Sequence, residues 1–179
     1  MAWRTRRSRV VYENPWIVVR EDAVTRPDGA DGIYGYVEVR HPSVVVVPVT
    51  AEGEVLLIRT DRYTLGRTNL ELPAGGTDGE DVLVAAAREL REETGYAARE
   101  LTALALTSQL KGVARAAQHV VIATGLHHVG GEDHLEEGIE GIELHPWADV
   151  LELLRRGELT DGESAAALMY AAVHLGRVH

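Results

Sequence analysis

Three glutamates lie close together at the end of one predicted helix. The helix is predicted over about residues 81–94, because Gly95 stands where a glycine commonly ends a helix. Glu89 and Glu93 are one turn apart on it, and Glu92 lies beside them. Like charges at this spacing cost about 0.2–0.5 kcal/mol, and carboxylates in a last helical turn also oppose the helix dipole. Carboxylate oxygens are ligands that Mg²⁺ and Mn²⁺ prefer, so the cluster indicates a site for a hard divalent cation.

A glycine-rich segment leads directly into this helix, and residues 72–76 within it are predicted to form a loop that is rigid at its proline and flexible at its glycines. Residues 72–79 contain three glycines within five positions, so backbone carbonyl groups can approach whatever the carboxylates hold. The apolar pattern predicts a core-facing stripe on the helix, comprising Leu83, Ala86, Ala87, Leu90 and Thr94. The alternative is an ordinary solvated helix face on which Arg88 and Arg91 neutralise the acids. The glycine-rich segment favours the metal site over that alternative.

The same residues resemble a family signature. Glu80 is followed by seven residues and then by Arg-Glu-Leu-Arg-Glu-Glu-Thr-Gly-Tyr at Arg88–Tyr96. This spacing resembles the second part of the Nudix box, which is Glu, seven residues, Arg-Glu, an aliphatic residue, any residue, Glu-Glu, any residue, Gly, and an aliphatic or aromatic residue. The wider context is similar to the ADP-ribose pyrophosphatase branch of that family; it comprises Arg62, the run Glu71–Gly75, the acidic residues Glu136 and Glu137, and the strand-rich first third.

The resemblance implies an enzyme that hydrolyses the pyrophosphate bond of a nucleoside diphosphate linked to another moiety. ADP-ribose, giving AMP and ribose 5-phosphate, or a related nucleotide sugar is the implied substrate. Mg²⁺ or Mn²⁺ is the implied cofactor, because such ions polarise phosphoryl oxygens and lower the pKa of bound water. The implied ligands are the carbonyl of Ala74 with Glu89, Glu92 and Glu93. Glu80 and Arg88 would support them, with Arg88 orienting a neighbouring carboxylate.

A general base is implied in the loop that follows residues 130–131. Glu137 is the first choice, followed by Glu136 and Glu140, and simple solvation of an acidic surface loop is the alternative. The catalytic set is then expected to comprise Glu137, Glu92, Glu89 and Arg88. The residues expected to contact the substrate are Arg62, Arg59 and Glu71.

Two features depart from the family pattern. Gly75 and Glu80 are separated by four residues, one fewer than in the family, so either the loop is shorter or Ala74 stands in the glycine's place. ADP-ribose enzymes usually carry a proline downstream of the box, whereas this chain has Gln-Leu-Lys-Gly at residues 109–112. The substrate therefore stays open among ADP-ribose, another nucleotide sugar, a dinucleotide and a free nucleoside triphosphate.

The rest of the chain must supply a fold that positions this site. Its 179 residues, 45% hydrophobic and 26% charged, suit one domain or a core domain with an appended element. Strands before and after a central helix, with helices at the end, predict an α+β fold whose mixed sheet is covered on both faces. The resemblance makes this a Nudix-type αβα sandwich over residues 41–179. It also implies that an N-terminal β-rich element over residues 1–40 serves dimerisation.

Individual elements follow from local patterns. The last two helices are predicted over 148–156 and 164–175, the second entered through a capping box at Thr160-Asp161-Gly162-Glu163. The uniformly apolar segment 43–49 is predicted to be a buried strand. Further strands are predicted over residues 16–24, 33–39, 55–59, 101–107, 118–123 and 142–145.

Composition excludes several classes of protein. The formal net charge of −10, from 28 acidic and 18 basic residues, opposes nonspecific binding to nucleic acid and to anionic membranes. The absence of cysteine excludes disulfides, thiol catalysis and cysteine-ligated zinc. Lys111 is the sole lysine and does not lie in a Walker A phosphate loop. The sequence shows neither a signal peptide nor a membrane-spanning segment, so we expect a cytoplasmic protein.

Other functions stay open beside the implied one. A nucleotide-binding or regulatory protein could use the same fold without turnover, although it would not need three mutually repelling carboxylates. A hydrolase of (deoxy)nucleoside triphosphates is another alternative. A zinc hydrolase is weaker, because His127, His128 and His134 lack the spacing of helical ligands. The expected partners are a small nucleotide diphosphate substrate and, by the resemblance, a second copy of the chain.

Overall fold

The computed structural model describes residues 2–131 and 138–178, which form two compact units. The first unit runs up to Pro42 and includes Thr107–Gln118, and the second contains Ser43–Leu106 and the chain from His119 onward. The first unit contains the strands β1 (Arg4–Glu13), β2 (Ile17–Thr25) and β3 (Asp31–Val39).

Along the chain, strands of the second unit come before and after one helix. Before that helix come β4 (Ser43–Val49), β5 (Glu54–Arg62), β6 (Arg67–Glu71) and β7 (Ala74–Gly76). The helix α1 (Val82–Thr94) is followed by β8 (Tyr96–Ala97), β9 (Glu100–Gln109), β10 (Ala114–Thr124), β11 (His127–His128) and β12 (Ile139–Pro146). The helices α2 (Trp147–Arg156) and α3 (Gly162–His174) come last. β9 and β10 contribute residues to both units.

The first unit is an antiparallel meander joined by tight turns. At the first turn the side-chain oxygen of Asn14 accepts hydrogen bonds from the backbone N–H groups of Trp16 and Ile17, at 2.9 and 2.8 Å. The start of β10 pairs in parallel with the end of β3. Every residue of β1 is exposed, so this strand has no alternation of buried and exposed residues by which its sequence could have revealed it.

Helices cover both faces of the sheet in the second unit. On one face Val44 of β4 packs with Leu90 of α1. On the other face Val45 packs with Val150 of α2 and Leu168 of α3. Six of the seven residues of β4 are buried, which confirms the predicted buried strand. The fold is the predicted αβα sandwich with a mixed sheet.

The ends of α1 were predicted correctly, but its buried face was not. Asp81 caps the N-terminus by accepting the N–H of Leu83 at 2.9 Å, and Gly95 ends the helix with a φ of 71°. The predicted core stripe is wrong for Leu83 and Ala87, which are exposed. The buried residues are instead Ala85, Ala86, Glu89, Leu90, Glu93 and Thr94. The helix therefore turns two of its glutamates inward, where a pattern of apolar residues alone would not place them.

Two other local predictions need correction. The N-cap of α3 is Asp161 rather than Thr160, and its carboxylate accepts the N–H of Ser164. The segment predicted as a loop at residues 72–76 contains β7, which pairs with β4. Alanine and glycine have low strand propensity, so this pairing depends on the neighbouring strand rather than on local sequence. Among the helices within residues 2–131 and 138–178, none combines the length and apolar character needed to cross a membrane.

Candidate active site

The end of α1 rests directly on β7. The N–H of Ala74 donates to the Glu93 carboxylate at 2.8 Å. The Glu89 carboxylate packs against the next residue, Gly75, so closely that a Cβ there would overlap it. Glu89 and Glu93 are only 7% and 3% exposed. Glycine is therefore needed at position 75 for a steric reason: it leaves room for a buried carboxylate.

The register of β7 also fixes the direction of the Ala74 carbonyl. The N–H of Val46 in β4 donates to the carbonyl of Pro73 at 2.8 Å, and Ala74 stands opposite Val45. In an antiparallel ladder, residues that bond to the partner strand alternate with residues that do not. Ala74 consequently turns both its N–H and its C=O away from β4, toward the side from which Glu93 approaches.

Arg88 joins three carboxylates to the same segment. Its guanidinium donates to Glu80 at 3.0 Å, to Glu89 at 2.8 Å and to Glu92 at 3.1 Å. It also donates to the carbonyl of Gly76 at 2.8 Å. Burial lowers the pKa of Arg88, but the hydrogen bonds and charges of these glutamates outweigh burial and raise the pKa above its ordinary value. One permanent cation thus holds two members of the predicted cluster, Glu89 and Glu92, together with Glu80.

The short connection from β7 to α1 is made by a tight turn. Asp78 and Gly79 both have positive φ angles, 50° and 85°, and the N–H of Glu80 donates to the carbonyl of Thr77 at 2.8 Å. This is the geometry of a type I′ turn. The turn accommodates the four-residue spacing between Gly75 and Glu80 and still brings Glu80 to Arg88.

A second ion pair holds the start of the Glu71–Ala74 segment. Two N–H groups of Arg62 donate to one oxygen of Glu71, at 2.8 and 2.6 Å, and Glu71 is buried. This hydrogen bond is the main reason that the pKa of Arg62 is raised. The charge of Glu93 raises it further, which places Arg62 within electrostatic reach of the end of α1.

The structure places the remaining predicted residues elsewhere. Arg59 lies two residues after Leu57, on the sheet face that α2 and α3 cover, and pairs with Glu143 at 2.8 Å. Glu140 of β12 accepts a hydrogen bond from Thr68 at 3.2 Å. Glu136 and Glu137 lie outside the described residues. The site is therefore built around Ala74, Gly75, Glu80, Arg88, Glu89, Glu92 and Glu93, with Arg62 and Glu71 beside them.

The donor set suits a hard divalent cation that is shared with a ligand. Within residues 2–131 and 138–178, no group of three or more Asp, Glu or His side chains is arranged to hold a metal ion unaided. Mg²⁺ commonly binds through one or two carboxylates together with water and substrate phosphates, so a three-carboxylate cage is not required. Oxygen donors of this kind are offered by the carboxylates of Glu89 and Glu93, which are both buried against β7. The Ala74 carbonyl lies on the same side.

Sequence reasoning missed two contacts of the site. It did not predict the steric contact of Gly75 with Glu89 or the hydrogen bond of Arg88 to the Gly76 carbonyl. The only signal for either was the Gly-Gly pair itself. Because residues 72–76 were predicted to be a loop, the strand β7 and its fixed register were missed.

Comparisons with known families agree with this arrangement. A model described as the NUDIX domain matches residues 39–169, and one described as the nucleoside diphosphate sugar hydrolase N-terminal domain matches residues 3–37. The chain is 36% identical over 136 residues to the ADP-ribose pyrophosphatase of Bacillus subtilis (strain 168), an alignment that covers 74% of this chain and 73% of that protein. It is 33% identical over 171 residues to the ADP-ribose pyrophosphatase of Mycobacterium tuberculosis, covering 93% and 81%.

Two further comparisons concern substrate and fold. The chain is 32% identical over 178 residues to the CMP-5'-(N-acetyl-N-hydroxy-3-aminopropyl)phosphonate hydrolase of Streptomyces rubellomurinus, covering 98% of this chain and 84% of that protein. A crystal structure of an ADP compounds hydrolase superposes with a TM-score of 0.87 at 23% identity, covering 99% of this chain and 98% of the other. At that identity the superposition shows a shared fold.

Proposed function

The chain belongs to the Nudix hydrolase family, and from that premise we propose that it hydrolyses the pyrophosphate bond of ADP-ribose to give AMP and ribose 5-phosphate. The proposal is supported by the two ADP-ribose pyrophosphatases to which the chain is similar. The single structural observation that carries it is the burial of Glu89 and Glu93 against Gly75 and Ala74. Burial of two carboxylates on one helical turn is costly, and such a pair suits a site that holds a cation against a diphosphate.

The residues around this pair have separate roles in the proposal. Glu89, Glu93 and the Ala74 carbonyl would hold Mg²⁺ or Mn²⁺, with Glu92 beside them. When bound, the cation supplies charge neutralisation at the phosphoryl oxygens and lowers the pKa of water. Arg88 orients Glu89 and Glu92 through its hydrogen bonds, and Glu80 in turn fixes Arg88.

Arg62 is the proposed contact for a substrate phosphate. It is the cation that faces Glu93 from β5, and its pairing with Glu71 orients the guanidinium. Arg59 was proposed from sequence for the same role. Arg59 instead pairs with Glu143 on the sheet face that α2 and α3 cover. Arg62 is therefore the stronger candidate for the contact with a substrate phosphate.

The general base in this proposal is Glu137, with Glu136 and Glu140 as the alternatives. A base within hydrogen-bond reach of the attacking water takes its proton as the bond to phosphorus forms. Glu137→Gln tests the assignment, with Glu140→Gln as the neighbouring control. We expect a large loss of turnover in the first variant only. Full activity of Glu137→Gln across the pH range would exclude Glu137 as the base.

A substrate panel tests the proposed function directly. The purified chain is incubated with Mg²⁺ or Mn²⁺ and ADP-ribose, a nucleotide sugar, a dinucleotide or a nucleoside triphosphate, and phosphorus NMR identifies the products. We expect AMP and ribose 5-phosphate from ADP-ribose, with no turnover in the presence of a chelator. Binding of nucleotides without hydrolysis would instead support a regulatory protein on this fold, and preference for triphosphates would contradict the proposed substrate.

A CMP-linked substrate is the second candidate. The CMP-phosphonate hydrolase of Streptomyces rubellomurinus is similar to nearly the whole chain. In the position where a proline is usual in ADP-ribose enzymes, the side chain of Gln109 donates to that of Gln118 at 2.7 Å. The panel therefore includes a CMP-linked phosphonate, and the ratio of kcat/KM values for the two substrates decides between the candidates.

We further propose that the N-terminal β-rich element, residues 1–40, forms a homodimer interface and that residues 41–179 form the hydrolase domain. Support comes from β1, which is exposed along its length and carries the exposed apolar residues Val10, Val11 and Tyr12. Light scattering should give twice the mass of 19.5 kDa, and a monomer at assay concentration would contradict the interface. The cytoplasm remains the proposed compartment.

A further inference from the structure

The N-terminus of α3 is bonded to the segment that carries the site. The Ser164 hydroxyl accepts the N–H of Leu72 at 2.8 Å and donates to the Asp161 carboxylate at 2.5 Å. That carboxylate also accepts the N–H of Ser164 at 2.8 Å. Leu72 and Ser164 are each 1% exposed, so water cannot replace the hydroxyl as the partner of the Leu72 N–H.

Leu72 is coupled to the site by a short and stiff connection. Pro73 separates it from Ala74, and the proline ring restricts the backbone there to one narrow range of φ. The Pro73 carbonyl is itself held by the N–H of Val46. A displacement of Leu72 is therefore passed on to Ala74, whose N–H binds Glu93, and to the adjacent Gly75.

Asp161 also reaches the site through Arg62. The hydrogen bond to Glu71 is the main cause of the raised pKa of Arg62, and the charges of Glu93 and Asp161 contribute as well. Arg62 thus lies near both the end of α1 and the start of α3. The segment from Glu71 to Ala74 is consequently held by its own backbone bonds and by the ion pair of Arg62 with Glu71.

Resting on the proposed function, we infer that Ser164, supported by Asp161, is a positioning residue for the hydrolysis reaction. It touches neither substrate nor cation; it fixes Leu72, and through Pro73 it sets where Ala74 and Gly75 meet Glu93 and Glu89. Removal of the hydroxyl leaves a buried N–H without its partner, and the segment must shift to recover one. A misplacement of about 1 Å in a catalytic arrangement is enough to cost up to roughly 100-fold in rate.

The test compares three variants of the intact chain. Ser164→Ala removes the acceptor, and Ser164→Thr restores a hydroxyl. Met169→Gly destabilises the same helix at an exposed position five residues after Ser164. The measurements are kcat and KM for ADP-ribose, Mn²⁺ affinity by electron paramagnetic resonance, and amide hydrogen exchange at Ala74 by NMR.

For Ser164→Ala we expect a kcat about 10- to 100-fold lower, weaker Mn²⁺ binding and faster exchange at Ala74. Ser164→Thr should recover most of the native kcat, Mn²⁺ affinity and protection from exchange at Ala74. Met169→Gly should change none of these three quantities. Equal kcat and equal Ala74 exchange in Ser164→Ala and Met169→Gly would overturn the inference. If Ser164→Ala fails to fold, Asp161→Asn should give a smaller fall in kcat with faster exchange at Ala74, and native values of both would overturn it instead.

The two proposals fail separately. If the native chain does not hydrolyse ADP-ribose, the proposed function falls, and the Ala74 exchange and Mn²⁺ measurements still decide the role of Ser164. If the native chain is active and Ser164→Ala behaves as Met169→Gly does, only the positioning role falls.

Discussion

Replacement of Gly75 by alanine separates the stability of the fold from the function of its site. Gly75 does not have a positive φ, so an alanine backbone fits the position without strain. The new Cβ would overlap the carboxylate of Glu89, and ordinary van der Waals contact begins at 3.4 Å. The carboxylate must therefore move by roughly 1 Å, the scale of misplacement that costs up to about 100-fold in turnover.

The expected cost in stability is moderate. The displaced group is the end of a flexible side chain, and its movement weakens the 2.8 Å hydrogen bond from Arg88. Overpacking and loss of a charge-assisted bond each cost about 1–3 kcal/mol, and movement of the Glu89 side chain relieves part of the first. We expect a folded Gly75→Ala protein with a free energy of unfolding lowered by about 2–4 kcal/mol and with turnover lowered by up to about 100-fold.

The neighbouring glycine supplies the matched control. A Cβ on Gly76 would come 3.1 Å from the Asp78 carboxylate, whose exposed side chain makes a long ion pair of 4.0 Å with Arg88 and has room to move into solvent. Steady-state hydrolysis of ADP-ribose and thermal unfolding are measured for both variants. Gly76→Ala should keep turnover within about threefold of the native chain. Native-like turnover in Gly75→Ala would refute the argument that the Glu89 position matters.

Glu93→Gln should lower turnover by about 100-fold or more, because it removes an anionic oxygen donor; thermal unfolding should show stability unchanged or higher, since repulsion from Glu89 is lost. Normal hydrolysis by this variant would refute its assignment as a ligand. Asp81→Ala should lower the free energy of unfolding by about 1 kcal/mol in denaturant titration, and an unchanged value would show that the cap contributes nothing. Burial raises the pKa of Glu143, but hydrogen bonds from Arg59 and His145 outweigh burial and lower it below 4.5. The stabilisation from Glu143 is therefore present above pH 4.5 and lost as the pH falls through the lowered value. Glu143→Gln should reduce the melting temperature at neutral pH and not in strong acid, and a pH-independent difference would contradict this.

The sequence was sufficient for the helix and the carboxylates because the signals there are local. A capping aspartate and a terminal glycine specify the ends of α1, and the spacing of Glu89, Glu92 and Glu93 follows from helical periodicity. The buried face of the same helix was predicted wrongly because hydrophobic periodicity assigns charged residues to solvent. Functional sites are exceptions to that rule, and the two buried glutamates are such an exception.

Elements that lack a local sequence signal escaped prediction. β1 is exposed throughout, so it lacks the alternation of buried and exposed residues that predicts a strand. β7 consists of alanine and glycine, and it is a strand because β4 offers it a register. The bond between Leu72 and Ser164 joins residues 92 positions apart, and no local pattern marks it. Long-range contacts of this kind set the fine geometry of the site.

Anomalous diffraction from crystals soaked in Mn²⁺ locates a bound cation without an assay of activity. We expect a manganese peak beside the Glu89 and Glu93 carboxylates and the Ala74 carbonyl, and a weaker peak or none in Glu93→Gln crystals soaked in the same way. If native crystals soaked in saturating Mn²⁺ show peaks only at other positions, these buried carboxylates do not serve to bind a divalent cation.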